Sequence, residues 1–387
     1  MNNEDLAYNL LRLRTVHEKT QEEIAVKAKI SIMTYRNIES GKSNPTTSTI
    51  KSLADCFSIT INELLKPAKK LKHVRFRALQ KKNIKKREQI LYLVSDWLDE
   101  YNYLEQKTGD KTEYKLSKLQ CDSEVKNIEQ LAQKARARLE IGNEPVRDIC
   151  GLLESRAGIK IYAREFKSDA FFGLSILEDD GSKVIVVNTW DRIPIERRIF
   201  SVAHEFGHIL MHLTSFDKPN LEEDTIEEKE ANTFASYFLM PEKDFIDEWN
   251  KGVSFDFIDR VIKVKQIFKV SHKAVLYRLS EILESKNINI NIWQKFNFEY
   301  KKKYPNSKLS YKEELNPLNS LNSLDENSIE LGALSDNFYF GGKLAKLVKE
   351  AIKKKIISTK KGAEVLNIDT AKMNELAKSW DDDLAQL

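Results

Sequence analysis

His204-Glu205-Phe206-Gly207-His208 sets two imidazoles four residues apart, with a carboxylate next to the first. On a helix, positions i and i+4 project from one face, so both rings can grip a single metal ion. Glu205 then points at water activated on that ion and is the candidate base. The flanks favour a helix: Ile199-Phe200-Ser201-Val202-Ala203 leads in, and Ile209-Leu210-Met211 continues an apolar stripe. The competing reading is a buried helix with two hydrogen-bonded histidines. A core of that kind has no use for Glu205 beside both of them.

A hydrolytic zinc site needs a third protein ligand and an open fourth position. Acids crowd the stretch from Leu221 to Glu230: Glu222, Glu223, Asp224, Glu227, Glu228 and Glu230. Beyond it, Ala231, Phe234, Ala235 and Phe238 keep helical spacing, and Pro241 suits a stop just past the helix end. Glu227 lies four residues before Ala231 and Glu230 four before Phe234, so either can face inward. Periodicity leaves both open. Most of the cluster reads as solvated charge, which the helix dipole favours at an N-terminus.

His204 to His212, followed by Glu230-Ala231-Asn232-Thr233-Phe234-Ala235 and Leu239-Met240-Pro241, resembles the ImmA/IrrE family of bacterial metallopeptidases. Val184 to Asn188 and Glu196-Arg197-Arg198 extend the likeness, which covers about residues 130 to 280. The resemblance implies a gluzincin-type site in which His204, His208 and Glu230 hold Zn2+, with Mn2+ as an alternative ion. Glu205 is the implied catalytic base, moving a proton from water to the leaving amine. His212, one turn past His208, reads as an orienting or packing residue. His272, on another expected helix, reads as a partly exposed histidine.

The N-terminus carries an independent signal. Thr20 can cap a helix over Gln21 to Ala28, with Glu23 completing a capping box. Ser31 can cap the next helix, Ile32 to Glu39, and Gly41 supplies its stop. Two short helices joined by a tight turn present a helix end to the major groove. Thr20 to Ala25, Asn37 to Lys42 and Asn44-Pro45 resemble the lambda-repressor-like XRE helix-turn-helix family. By that match Gln21, Ser31, Met33, Thr34, Arg36 and Asn37 face DNA, and Lys42 touches phosphate. Lys29 stands where the family usually has Gly, so it must accept a left-handed conformation or reshape the turn. A small helical docking module is the competing reading.

The chain has 387 residues, a formal net charge of +4 and three cysteines. From Lys66 to Arg87 there are eleven Lys or Arg and no acid. Such a run after a DNA-binding module either adds phosphate contacts or serves as a solvated linker. Cys56, Cys121 and Cys150 are few, scattered and odd in number, which points to reduced thiols and a cytoplasmic setting. No signal peptide and no long apolar run are evident, so no membrane partner is expected.

The expected fold class is α+β. An all-α helix-turn-helix domain (1–66) leads through a basic and helical region (67–127) to a zincin-like domain with a small sheet and an active-site helix (128–300). A linker (301–341) and a helical C-terminal appendix (342–387) follow. Strands are expected at Gly158 to Tyr162, Phe171 to Ile176 and Val184 to Val187, with a hairpin turn at Asp179 to Ser182. The expected function is a DNA-binding regulator, homodimeric on a double-stranded operator. Its zinc endopeptidase domain cleaves a repressor or antitoxin in stress or mobile-element control. The alternatives are a catalytically silent ligand sensor, or a toxin–antitoxin or phage-defence component acting by binding.

Overall fold

The computed structural model describes residues 3–67, 71, 73–78, 84–120, 127–167, 171–217, 225–306 and 342–385. Lys69, Lys70, Lys72, Lys81 and Lys82 of the basic run, Cys121, the acids Glu222, Glu223 and Asp224, and nearly all of the expected linker lie outside the described residues. The chain forms two compact units: residues 1–72 with 80–104, and residues 73–79 with 105–387.

The first unit is helical. Helices α1 (Asn3–Val16), α2 (Gln21–Lys27), α3 (Ile32–Glu39), α4 (Thr47–Cys56) and α5 (Ile61–Leu64) follow in order. Their core holds Leu6, Leu10, Ile24, Ala25, Tyr35, Ile38 and Leu53. The expected capping box forms: Thr20 Oγ1 accepts from Glu23 N–H at 3.1 Å, and Thr20 N–H donates to Glu23 Oε2 at 2.7 Å. Ser31 Oγ accepts from Thr34 N–H at 3.0 Å, which starts α3. Lys29 takes the left-handed conformation, φ +57°, so the turn keeps its shape without a glycine. The buried Glu39 carboxylate accepts from Arg14 Nε, Gln21 Nε2 and Tyr35 Oη, tying α1, α2 and α3 together.

Strand β1 (His73–Ala78) then joins the second unit. The expected linker therefore contains a strand, within the basic run. The chain next forms α6 (Ile84–Thr108), most of which belongs to the first unit. Arg12 on α1 pairs with Asp96 at 2.8 Å, and Tyr8 meets Tyr92 edge-on at 5.0 Å.

The second unit continues with α7 (Ser117–Gln120), α8 (Ile128–Arg138), α9 (Ile149–Leu152) and a π-helical turn at 153–157. Strands β2 (Ile159–Arg164), β3 (Phe171–Leu177) and β4 (Lys183–Asn188) follow, all within the span of the second unit. The sheet order is β1-β3-β4-β2; β2 runs parallel to β4, and the other pairs are antiparallel. The β3–β4 hairpin turns where expected, with Gly181 at φ +86°. Helix α10 (Ile195–Met211) packs on β3 and β4, and α11 (Thr225–Leu239) packs on α10 and α8. Helices α12 (Glu242–Lys251), α13 (Phe257–Phe268), α14 (His272–Ser285) and α15 (Ile292–Lys303) extend the core. His272 is not the partly exposed residue expected: it is 2 % exposed and stacks on Phe296. Burying an imidazole against an aromatic face is the usual fate of a ring at a helix–helix contact.

Two buried charged groups fasten the second unit. Lys160 on β2 meets Glu178 at 2.8 Å and Glu105 at 3.3 Å. Arg136 on α8 donates to the carbonyls of Gly142, Glu144 and Phe238, and burial lowers its pKa to about 10. The C-terminal helices are α16 (Lys343–Lys353), α17 (Thr359–Leu366) and α18 (Thr370–Ala385). The start of α16 is held by Glu154, whose carboxylate accepts from Lys343 N–H at 3.2 Å.

Burial raises the Glu154 pKa from 4.5 to about 7, against hydrogen bonds from the Lys343 and Ile161 backbones. A raised acid binds protons more tightly in the folded state. The unit therefore loses stability as pH rises from about 4.5 to 7, by up to about 3 kcal/mol. Glu154→Gln keeps an acceptor and removes the charge. Thermal unfolding of this variant should match wild type near pH 5 and exceed it at pH 8; an unchanged difference across that range would contradict this account.

Candidate metal centre and candidate DNA-reading helix

Helix α10 carries His204, Glu205 and His208 in one buried turn, with relative exposures of 0, 1 and 0 %. The two Nε2 atoms face each other at 2.9 Å. Opposite them on α11 stands Glu228, with carboxylate oxygens 3.2 Å from His204 Nε2 and 3.1 Å from His208 Nε2. These three groups converge within 4.8 Å of one another. Tetrahedral bonds of about 2.0–2.1 Å place donor atoms about 3.3 Å apart, so the donor set has the spacing a divalent ion needs.

The other ring nitrogens are held from behind. His204 Nδ1 donates to Asn232 Oδ1 at 2.9 Å, leaving the Nε2 lone pair facing Glu228. Glu230 Oε2 accepts from His212 Nε2 at 2.8 Å, and His212 Nδ1 faces His208 Nδ1 at 2.9 Å. With Nε2 of His212 protonated, its Nδ1 accepts from His208, so His208 Nε2 is also freed. Burial pushes the His208 pKa well below its usual range. For Glu228, burial alone would raise the pKa, but the His204 and His208 rings facing it hold the carboxyl well below the usual range. Neutral imidazoles and an ionised carboxylate are the forms that ligate a divalent cation.

The carboxylate expected as third partner, Glu230, is thus not the one that faces the two Nε2 atoms. The cause is helix phase. Glu228, Ala231, Asn232 and Ala235 share the spacing i, i+3, i+4, i+7, whereas Glu230 sits a turn aside, opposite His212. Glu227, the other open choice, accepts from Ser215 Oγ and Arg75 instead. The missed signal was Asn232, a polar residue between the alanines of a packed face.

Glu205 faces the sheet. Ser175 Oγ on β3 donates to its Oε2 at 2.7 Å. Gly173, two residues earlier, leaves the space in which Glu205 lies: a Cβ there would stand 3.3 Å from Glu205 Cγ. The neighbouring edge of β3 is covered by β1, in which Arg75 lies opposite Ser175. Arg75 reaches past the sheet to Glu228 Oε1 at 3.2 Å and also pairs with Glu227. Sequence reading left Arg75 in a basic run of phosphate contacts or solvated linker; here its charge lies beside the candidate metal centre.

In the first unit, Ser31, Met33, Thr34, Arg36 and Lys42 are exposed, while Gln21 and Asn37 are half-buried. Met33 is 60 % exposed, far more than a methionine needed for packing. Arg36 Nε donates to Gln21 Oε1 at 3.2 Å, and Gln21 in turn donates to Glu39, so the Arg36 fork is steadied from below. Ser31 spends its hydroxyl on the cap and on Thr34. The Asn37 carbonyl accepts from Lys42 and Ser43 N–H, which closes the loop after α3.

A short helix capped into a tight turn and an HExxH helix facing a glutamate define a DNA-binding module joined to a metallopeptidase-type domain. Residues 10–64 match the helix-turn-helix family, and residues 154–280 match the IrrE N-terminal-like domain of the M78 peptidases. The two matches fall on separate stretches of one chain, in that order. Comparison with curated proteins returns no match.

Gly207 is what lets the two site helices meet. A Cβ at this position would lie 2.9 Å from Phe234 Cδ1, inside a stack that also holds Phe206 and Phe238. Gly207→Ala should therefore destabilise the second unit by about 1–3 kcal/mol, measured by urea unfolding. A gain in stability, as expected for a glycine merely wasted in a helix, would show that the contact is slack.

Proposed function

We propose that the protein is a DNA-binding regulator whose second unit is a metal-dependent endopeptidase. His204, His208 and Glu228 hold Zn2+ or Mn2+, and Glu205 acts as general base. The observation that carries this is the convergence of two buried Nε2 atoms and the Glu228 carboxylate, with Glu205 on the same helix as the two rings held by Ser175. A divalent ion bound there supplies Lewis acidity to a scissile carbonyl. Glu205, oriented by Ser175, takes the proton of the attacking water and delivers it to the leaving amine. Asn232 and the His212–Glu230 pair fix the imidazole tautomers.

A protein substrate is read best as an extended segment, because the site opens beside a sheet whose edge strand pairs main chain to main chain. The target class supported by the fused DNA-binding domain is a repressor or antitoxin, in stress or mobile-element control. The α2–α3 pair reads an operator through Arg36, Asn37, Thr34 and Met33, with Gln21 and Ser31 at the edges and Lys42 on phosphate. No helix among the described residues is long and apolar enough to cross a membrane. We propose a cytoplasmic setting and a homodimer on a two-fold operator.

Metal content separates the ligand assignments. His204→Ala and His208→Ala should abolish stoichiometric metal in the purified chain. Glu228→Gln should weaken binding far more than Glu230→Gln, for which a loss of about 10–100-fold fits an outer partner. The opposite order would return the third ligand to Glu230.

Glu205→Gln should keep the metal and lose cleavage. In cells, regulated promoters should stop responding to the trigger in this variant at equal protein level. An intact response is the outcome expected of a ligand sensor, whose population shift needs no base. That observation favours the second reading and would displace the peptidase.

For DNA, the full-length chain should bind an operator duplex with affinity falling steeply as salt rises. Arg36→Ala should lower discrimination between operator and random duplex by about 1–3 kcal/mol, whereas Lys42→Ala should weaken both alike. Equal losses for the two variants would remove Arg36 from base reading.

A further inference from the structure

The C-terminal helices repeat the first unit's helix-turn-helix, residue for residue. Ser358 stands where Thr20 does: Ser358 Oγ accepts from Lys361 N–H at 3.1 Å, as Thr20 Oγ1 does from Glu23 N–H at 3.1 Å. Asn367 takes the left-handed conformation at φ +53°, matching Lys29 at φ +57°. The turn bonds coincide as well. Asn367 N–H reaches Glu364 O at 3.1 Å and Ile368 N–H reaches Ala363 O at 3.0 Å; Lys29 to Val26 and Ile30 to Ala25 measure the same. Asp369 caps α18 through Lys372 N–H at 2.7 Å, as Ser31 caps α3 through Thr34 N–H at 3.0 Å.

The cores agree too. Ala363 and Met373 are buried in the places of Ala25 and Tyr35. Gly362 stands where Ile24 does, close against α16: a Cβ would stand 2.9 Å from Ile352 Cδ1 and 3.1 Å from Val348 Cγ1. Every equivalent position keeps one constant offset along the chain. The helix-turn-helix family match ends at residue 64 and does not reach this segment.

We propose that α16–α18 form a second helix-turn-helix and that α18 binds double-stranded DNA. The face that α3 exposes through Met33, Arg36 and Ser40 is exposed on α18 as Ala371, Asn374 and Lys378. Asn374 suits adenine, Glu375 suits the cytosine amino group, and Lys372 and Lys378 suit guanine or phosphate. The approach is basic: between Lys343 and Lys361 there are eight lysines and one acid. Lys360 and Lys361 stand in the first turn of α17, the place from which this motif grips the backbone.

The inference uses the DNA-reading role of α3 as its comparison, so the test carries both positions. In the full-length chain, Ala371→Cys and, separately, Met33→Cys are labelled with a benzophenone and irradiated with a random-sequence duplex at low salt. All the chains carry Cys121→Ser, the one without either new cysteine is the blank, and Cys56 and Cys150 are buried. Both labelled positions should crosslink to DNA, and both yields should fall as salt rises. In an Arg36→Ala background, adding Lys378→Glu should lower residual affinity for the duplex about tenfold or more. DNA crosslinks at Met33→Cys but none, or only protein crosslinks, at Ala371→Cys overturn the second site and leave the first standing. No DNA crosslink at Met33→Cys with one at Ala371→Cys overturns the reading of α3 instead.

Discussion

The close approach of α10 and α11 is the constraint on which the candidate metal centre depends. Glycine at 207 removes the side chain that would hold the helices apart, and Phe234 fills the gap against Phe206 and Phe238. At that separation a glutamate on α11 reaches two imidazoles on α10, and Asn232 reaches the far nitrogen of one of them. The donor set is thus assembled by packing. Burial holds the His208 pKa down, while the two rings facing Glu228 hold its carboxyl pKa down against burial.

Much of this was legible in the sequence where local rules govern. Capping boxes, the Ser31 cap, the β3–β4 hairpin and the HExxH spacing all rest on contacts within a few residues, and the structure keeps each of them. The α+β class and the helix-turn-helix followed from those pieces. What the pattern could not supply was rotation of α11 about its axis. Two inward-facing phases were available, and neither put forward Glu228, because Asn232 on the same face looks like a surface residue until His204 of α10 is set against it. His272 was misjudged for the same reason: its burial is made by Phe296, on a different helix. Strand β1 was hidden by composition, since a run so basic reads as solvated; Arg75 is paid for there by two glutamates that lie far along the chain.

The C-terminal repeat shows how little sequence identity a helix-turn-helix requires. Between the two copies the left-handed turn residue changes from Lys29 to Asn367, the cap from Ser31 to Asp369, and an aromatic core residue from Tyr35 to Met373. Each exchange preserves a physical role: a tolerated positive φ, an oxygen for an orphan N–H, a volume at the crossing of helices. Ile24 and Gly362 differ in size, and at 362 a Cβ would press on Ile352 and Val348, so that pair would mislead any comparison by residue type alone.

Strand β1 has one more consequence. It belongs to the second unit, yet the segments before and after it, up to 72 and from 80 to 104, belong to the first. The chain therefore threads out of one unit, completes the other's sheet, and returns. No single cut yields two whole halves. A fragment ending at residue 72 forfeits α6, with the Asp96 and Tyr92 contacts to α1. A fragment beginning at Glu105 bares the hydrogen-bonding edge of β3, an open template for the next copy and an invitation to aggregate. A nick between residues 72 and 80 would therefore cut a stretch of chain that both units share.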